Sequence, residues 1–143
     1  VSCITGFTRL VPHICSLLTA TPTSFSTTQD NTCRSVDLSS GSLIVPSSTK
    51  FVEGIAAIQI NSGNAVGIRN TSLSWFLDTS CVTQYSSTVM TIREMVATVA
   101  GTELTTVNTL VRIPLVSQRI YYKAFSSGGT GSLSSLVPTA YYD

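Results

Sequence analysis

Two neighbouring stretches decide the fold class: TTVNTLVRI at residues 105–113 and SQRIYYKAF at residues 117–125. In the first, Val107, Val111 and Ile113 alternate with other residues at the period of a half-buried β-strand. The second stretch has the same length and is rich in residues that fit a pleated sheet. We therefore predict two consecutive strands at these positions.

Further strands are predicted where β-branched and aromatic residues lie between turn residues. They occupy residues 2–10, 33–45, 50–60, 65–69, 71–78 and 133–142. Gly54 indicates a bulge or a bend in the third of these segments. Residues 19–32 are rich in Ser and Thr and are predicted to form a long loop.

Residues 91–100 differ from the rest of the chain because their apolar residues recur at helical spacing. These residues are Ile92, Met95, Val96 and Val99. The run Thr91-Ile92-Arg93-Glu94 has the form of a capping box, and Gly101 stands where a helix would end. We predict one short helix at about residues 91–100.

The composition favours a single all-β domain over the 143 residues. The chain has 22 Ser and 21 Thr but only 10% charged residues, and its net charge is +1. This balance excludes a strongly basic nucleic-acid-binding domain, and an apolar content of 43% excludes a disordered chain. No apolar run is long enough for a transmembrane helix, and no signal peptide is visible. A nearly uncharged surface favours self-association.

We expect residues 1–32 to contribute one strand and the Ser/Thr-rich loop, and residues 33–143 to form the main β-sandwich. The four cysteines, Cys3, Cys15, Cys33 and Cys81, contain no C-x-x-C spacing. Because the chain has a single histidine, His13, they do not predict a metal site. Three disulfide pairings are possible, and buried free thiols are equally compatible with the sequence. We predict no metal ion and no cofactor.

Three features of the sequence could indicate enzymatic activity. The run Phe76-Leu77-Asp78-Thr79-Ser80 resembles the Asp-Thr-Gly element of retroviral-type aspartic proteases, but Ser80 replaces the glycine. His13 is the single candidate base for a nucleophilic site, and its neighbours favour a structural role. The run Gly128-Gly129-Thr130-Gly131 lacks the lysine of a phosphate-binding loop. We therefore predict no catalytic residues and no enzymatic activity.

The densest group of cations lies on the two strands quoted first. It comprises Arg112, Arg119 and Lys123, with Tyr121 and Tyr122 between them. Charges at alternating strand positions can meet nucleic-acid phosphates, and tyrosines can stack on unpaired bases. Solvated charges on an outer strand face are the alternative interpretation.

Taken together, residues 33–143 resemble the single-domain coat proteins of small icosahedral RNA viruses, in particular satellite viruses. The resemblance rests on chain size, strand number, the hydroxyl-rich surface and the closing segments at 119–123 and 136–142. It implies an eight-stranded antiparallel jelly-roll sandwich that assembles into an icosahedral shell of roughly sixty copies. It further implies enclosed genomic RNA, location in a virion without a membrane, and an interior position for Arg9 beside the RNA.

An extracellular binding module of the lectin, adhesin or spike type is the alternative function. Charge-poor β surfaces rich in Ser and Thr also occur in such modules. In that case aromatic residues such as Trp75, Tyr121 and Tyr122 would stack on sugars.

Overall fold

The computed structural model describes residues 7–10, 14–17, 23–24, 31–40, 44–61, 67–85, 90–96, 104–127 and 130–142. Within these ranges the chain forms β-strands and no helix, so the all-β class is confirmed. The strands are β1 (Phe7–Leu10), β2 (Ile14–Leu17), β3 (Thr23–Ser24), β4 (Arg34–Asp37), β5 (Phe51–Asn61), β6 (Gly67–Phe76), β7 (Met90–Val96), β8 (Leu104–Pro114), β9 (Arg119–Ser127) and β10 (Thr130–Tyr142). The described residues thus contain ten strands, whereas the sequence predicted eight. Accordingly, the described residues contain no helix that is long and apolar enough to cross a membrane.

The strands form two antiparallel sheets. Sheet A has the order β1-β2-β10-β5-β8, and the short strand β3 also pairs with β10. Sheet B has the order β4-β9-β6-β7. The predicted strands at 105–113 and 117–125 are confirmed as β8 and β9, but these two strands belong to different sheets.

The predicted helix is wrong over residues 91–96, which lie in β7, while residues 97–100 fall outside the described residues. Strand β7 pairs with β6 from Gly67↔Val96 to Leu73↔Met90. Its Thr, Ile and Val residues have low helix propensity and fit a pleated sheet. Pairing with β6 also gives the backbone of β7 hydrogen-bond partners far away in the sequence. These hydrogen bonds outweigh the local capping signal at residues 91–94.

The two sheets pack through the side chains that face each other. Alternate residues of β6 and β9 are buried in sheet B, and alternate residues of β5 and β8, with two from β10, are buried in sheet A. This core contains Val52, Ala56, Leu73, Trp75, Val111, Ile113, Ile120, Tyr122, Ala124, Leu136 and Tyr141. The residues between them on each strand therefore point away from the core.

The alternation of buried and outward-facing residues shifts by one position along strand β10. Leu136 and Tyr141 are five residues apart, yet both are buried, because the register with β5 shifts between Pro138 and Ala140. Gly54 lies opposite Pro138, and a Cβ atom there would meet the Val137 carbonyl oxygen and lie 2.8 Å from Pro138 Cα. The predicted irregularity near Gly54 is thus a bulge in the facing strand.

A tight turn joins β8 to β9 and carries the chain from sheet A to sheet B. Val116 and Arg119 exchange two backbone hydrogen bonds of 2.9 and 3.0 Å. Ser117 and Gln118 between them have φ values of 50° and 61°, as in a type I′ turn. The Gln118 side chain donates a hydrogen bond of 2.6 Å to the Val45 carbonyl oxygen, which attaches the turn to the preceding loop.

Candidate functional site

Strand β9 places three of the predicted site residues on the outer face of sheet B. Because Ile120 and Tyr122 face the core, the alternate residues Arg119, Tyr121 and Lys123 point outward. All three are half-buried. We call this group the basic face.

Arg119 is already engaged within its own sheet. Its guanidinium lies 2.7 Å from the Asp37 carboxylate and 3.4 Å from the Ser35 hydroxyl, both on the neighbouring strand β4. Hydrogen bonds from the Ser39 hydroxyl and the Ser39 backbone N–H are the main causes that lower the pKa of Asp37, and Arg119 adds to them. Arg119 can therefore offer a ligand its remaining N–H groups, but its charge is partly neutralised.

Lys123 lies over an aromatic ring of the adjacent strand. Its Nζ atom is 5.3 Å from the centre of the Phe76 ring, within the range of a cation–π interaction. Phe76 follows the core residue Trp75 and therefore points away from the core, yet it is only 5% exposed. Part of the chain must cover it on the outer side of sheet B.

Residues 77–83, which we call the strap, provide contacts across this face. A disulfide joins Cys81 of the strap to Cys33, which directly precedes β4. The Cys33 Sγ atom lies 3.6 Å from the Thr79 carbonyl oxygen, and the Cys81 Sγ atom lies 3.8 Å from the Tyr122 carbonyl oxygen. The strap therefore runs from the end of β6 past β9 to the start of β4.

Asp78 organises the strap from within. Its carboxylate accepts backbone hydrogen bonds from Ser80 at 2.9 Å, Val82 at 3.1 Å and Thr83 at 2.5 Å. The N–H of Thr83 is the largest cause that lowers the pKa of Asp78, followed by that of Val82. A carboxylate held in this way orders its own loop, and both of its oxygen atoms accept hydrogen bonds from backbone amides.

The outer face of sheet A carries a second arrangement, around Arg112. Its guanidinium carbon lies 4.4 Å from the centre of the Phe51 ring and 4.3 Å from that of Tyr142. The Tyr142 hydroxyl donates a hydrogen bond to the Glu53 carboxylate, and this bond is the main cause that raises the pKa of Tyr142. Glu53 and Arg112 also face each other in the register of β5 and β8.

The predicted nucleic-acid site is thus divided among several parts of the fold. Arg119, Tyr121 and Lys123 share one face, whereas Tyr122 is 1% exposed in the core and cannot stack on a base. Arg112 lies on the other sheet. Arg9 lies on β1 of sheet A opposite Cys15, and its side chain falls outside the described residues.

Sequence reasoning missed Phe51, Glu53 and Tyr142 as neighbours of Arg112. They come from strands far apart along the chain, and Tyr142 reaches the outer face because of the bulge in β10. Alternation could have shown that Tyr121 and Tyr122 point to opposite sides of their strand. It could not show which side faces the core.

His13, Cys3, Gly128 and Gly129 lie outside the described residues. Among the residues that the structure does describe, no three His, Cys, Asp or Glu side chains form a group that could hold a metal ion. In comparisons with known proteins, no family model matches the chain, and no curated protein or solved structure is significantly similar to it. The strand arrangement and the two outer faces are therefore the features of this protein that bear on its function.

Proposed function

We propose that the chain is a jelly-roll coat protein that assembles into a closed icosahedral shell and encloses RNA. The observation that carries the proposal is the order in which the strands pair. Four antiparallel pairs nest within one another along the sequence: β2 with β10, β4 with β9, β5 with β8 and β6 with β7. The pairs alternate between the two sheets.

One long hairpin of eight strands rolled into a sandwich would pair in this nested order, so the pairing supports a jelly-roll arrangement. The two remaining strands, β1 and β3, are additions that attach beside β2 and β10 in sheet A. Jelly rolls recur in viral capsid proteins and in lectin domains. The fold is therefore compatible with a coat protein and with a lectin-like module, and it does not decide between them.

The charge distribution favours the coat-protein alternative. A subunit that buries much of its surface against copies of itself benefits from few charges, because ions are costly to remove from water. Only 10% of this chain is charged. On both outer faces, moreover, described charges have partners within the same subunit: Arg119 with Asp37, and Arg112 with two aromatic rings.

We propose that RNA binds to the basic face on sheet B. This site keeps only Arg119, Tyr121 and Lys123 from the larger set predicted from the sequence. These side chains point outward from alternate positions of one strand, so they can meet a nucleic-acid backbone together. Tyr121 can add stacking on an unpaired base. Each subunit would bind RNA weakly, and affinity would come from many copies arrayed on one shell.

A lectin-like or adhesin-like module is the second candidate, and the disulfide between Cys33 and Cys81 favours it. Disulfides persist in oxidising surroundings, which include the extracellular space and also virion surfaces. Two of the three aromatic residues expected to stack on sugars, Trp75 and Tyr122, are instead buried in the core. This burial weakens the sugar-binding alternative without affecting self-assembly.

Particle formation tests the proposal. The purified protein should form closed, uniform particles in electron microscopy and light scattering, and these particles should contain nuclease-protected RNA. A species that remains monomeric or dimeric across salt and pH would refute the coat-protein function. Binding to a glycan array by such a species would support the second candidate.

The RNA contact is tested separately with Arg119→Gln combined with Lys123→Gln. This variant should assemble but package less RNA, and its RNA binding should depend less steeply on salt. The matched control is Lys50→Gln, which removes an exposed lysine outside the basic face. Equal RNA content in parent, double variant and control would show that the basic face is not the RNA contact.

A further inference from the structure

The outer face of sheet B carries aromatic rings as well as the charges of the basic face. Along β9 the outward positions are Arg119, Tyr121, Lys123 and Phe125, so cations and rings alternate. Phe125 is 43% exposed, so its ring is open to a ligand. This alternation suits unpaired RNA, because each ring can stack on a base while the cations meet phosphates.

Phe76 of β6 belongs to the same surface, but the strap covers it. In the strand register Phe76 lies directly opposite Tyr121, and the Lys123 Nζ atom lies over its ring. Phe76 is nevertheless only 5% exposed. The strap begins at the next residue and crosses this face, so it withholds the Phe76 ring from a ligand of the basic face.

The middle of the strap is held on sheet B through sulfur atoms. The disulfide links Cys81 of the strap to Cys33, directly before β4. The two sulfur atoms also lie against carbonyl oxygens, one of Thr79 in the strap and one of Tyr122 in β9. Each of these contacts depends on the disulfide, so breaking one covalent bond loosens all of them together.

The ends and the internal shape of the strap do not depend on the disulfide. Both ends are fixed beside β6, by the bridge between Phe76 and Gln84 and by the 2.8 Å hydrogen bond from the Tyr85 N–H to the Trp75 carbonyl oxygen. Within the strap, the Asp78 carboxylate accepts backbone hydrogen bonds. Once the disulfide is broken, the strap can therefore move off the face as a unit while the strands keep their pairing.

We propose that a thiol reductant opens the strap and thereby completes a surface of Phe76, Tyr121 and Phe125 on which unpaired RNA bases stack. This inference rests on the RNA contact proposed for the basic face. The thiolate of the reductant attacks the Sγ atom of Cys33, which is half-exposed, and Cys81 leaves as a thiolate that takes up a proton. A second thiol then displaces Cys33 from the mixed disulfide. The protein gains two electrons and two protons, and the two reductant thiols are oxidised to a disulfide.

The redox state of the surroundings then sets the affinity for RNA. Glutathione and thioredoxin keep thiols reduced in the cytosol, whereas disulfides persist in oxidising surroundings. The stacking surface is therefore complete in the compartment where RNA is available and partly covered outside the cell.

RNA binding by the full chain, with and without a dithiol, tests the opening of the strap. Fluorescence anisotropy gives the dissociation constants of a labelled oligouridylate and of a labelled duplex RNA at one salt concentration, with and without dithiothreitol. Reduction should lower the dissociation constant of the unpaired RNA by about fivefold or more, which is the effect of one added stacking ring. The dissociation constant of the duplex should change by less than about twofold, because paired bases cannot stack on the rings.

Cysteine and ring variants assign the effect to this disulfide. Cys33→Ala combined with Cys81→Ala should bind unpaired RNA as tightly as the reduced parent and should not respond to dithiothreitol. The matched control, Cys3→Ser combined with Cys15→Ser, should respond like the parent. Phe76→Leu should bind like the oxidised parent without reductant, and reduction should change its affinity by less than about twofold. If the Cys33 and Cys81 variant fails to fold, the comparison of oxidised and reduced parent still decides.

Several outcomes would contradict the opening of the strap. Equal affinity of the parent in both redox states, an equal gain for duplex RNA, or a full gain in Phe76→Leu would overturn it while leaving the RNA contact of the basic face intact. Reduction that abolishes the β-sheet circular dichroism would also overturn it, because the strap would then not open by itself. Absence of RNA binding in both redox states would refute the RNA contact in the proposed function, and the opening with it.

Discussion

Removing the disulfide between Cys33 and Cys81 should cost a large part of the stability of the domain. The bond joins the start of β4 to the strap and closes a loop over a sequence separation of 48 residues. Its main effect is to restrict the unfolded chain, because a crosslinked chain has fewer conformations to lose on folding. The structure places Cys81 in a buried position, so the bond is also part of the packed native state.

The loop length gives the magnitude. For 48 residues the chain-entropy relation yields a loss of about 14 cal/mol/K, or about 4 kcal/mol at 25 °C. Small domains are stable by only about 5–15 kcal/mol, so the change should be plainly visible. It should lower the urea midpoint by more than about 1 M if the slope is near 2 kcal/mol/M.

The assay is urea unfolding of Cys33→Ala, Cys81→Ala and the double variant, each compared with the parent. Either single substitution removes the whole crosslink, so each single variant should lose nearly all of the free energy of unfolding that the disulfide contributes. Adding the other substitution should lower the free energy of unfolding little further. The three variants should therefore have similar free energies of unfolding. If the two single effects instead add in the double variant, or if the parental midpoint is retained, the two sulfurs do not act as one bond.

Three other outcomes test the local geometry. Gly54→Ala should destabilise the domain by about 2–3 kcal/mol, because a Cβ atom would press on the backbone of β10; an unchanged melting temperature would contradict that close approach. Ser117→Asn should stabilise it by about 0.5–1 kcal/mol, because Asn tolerates positive φ better than Ser; a lowered urea midpoint would argue against this turn. The folded pKa of Asp78 lies below its unfolded value, so its contribution is present above about pH 4 and is lost as the pH falls through the folded pKa. Asp78→Asn should therefore lower the melting temperature at pH 7 but much less near pH 3, and an equal difference at both pH values would show that the carboxylate charge is not responsible.

Part of the basic face could be predicted from sequence, and part could not. Arg119, Tyr121 and Lys123 stand at alternate positions of one stretch, so their common face follows from strand geometry alone. Arg112 is only seven residues before Arg119 along the chain. It nevertheless lies on the other sheet, because the turn at residues 116–119 carries the chain around the edge of the sandwich.

The sequence by itself determined the all-β class and the positions of the long strands β5, β8 and β9. These depend on alternation and on β-branched side chains, which act over a few neighbouring residues. The tertiary structure decided the strand β7, the partner of Cys33, the core position of Tyr122 and the arrangement around Arg112. Each of these features depends on pairing between segments that are far apart in the chain. The local pattern is outweighed there by the hydrogen bonds of a neighbouring strand, by a one-residue register shift or by the choice of buried face.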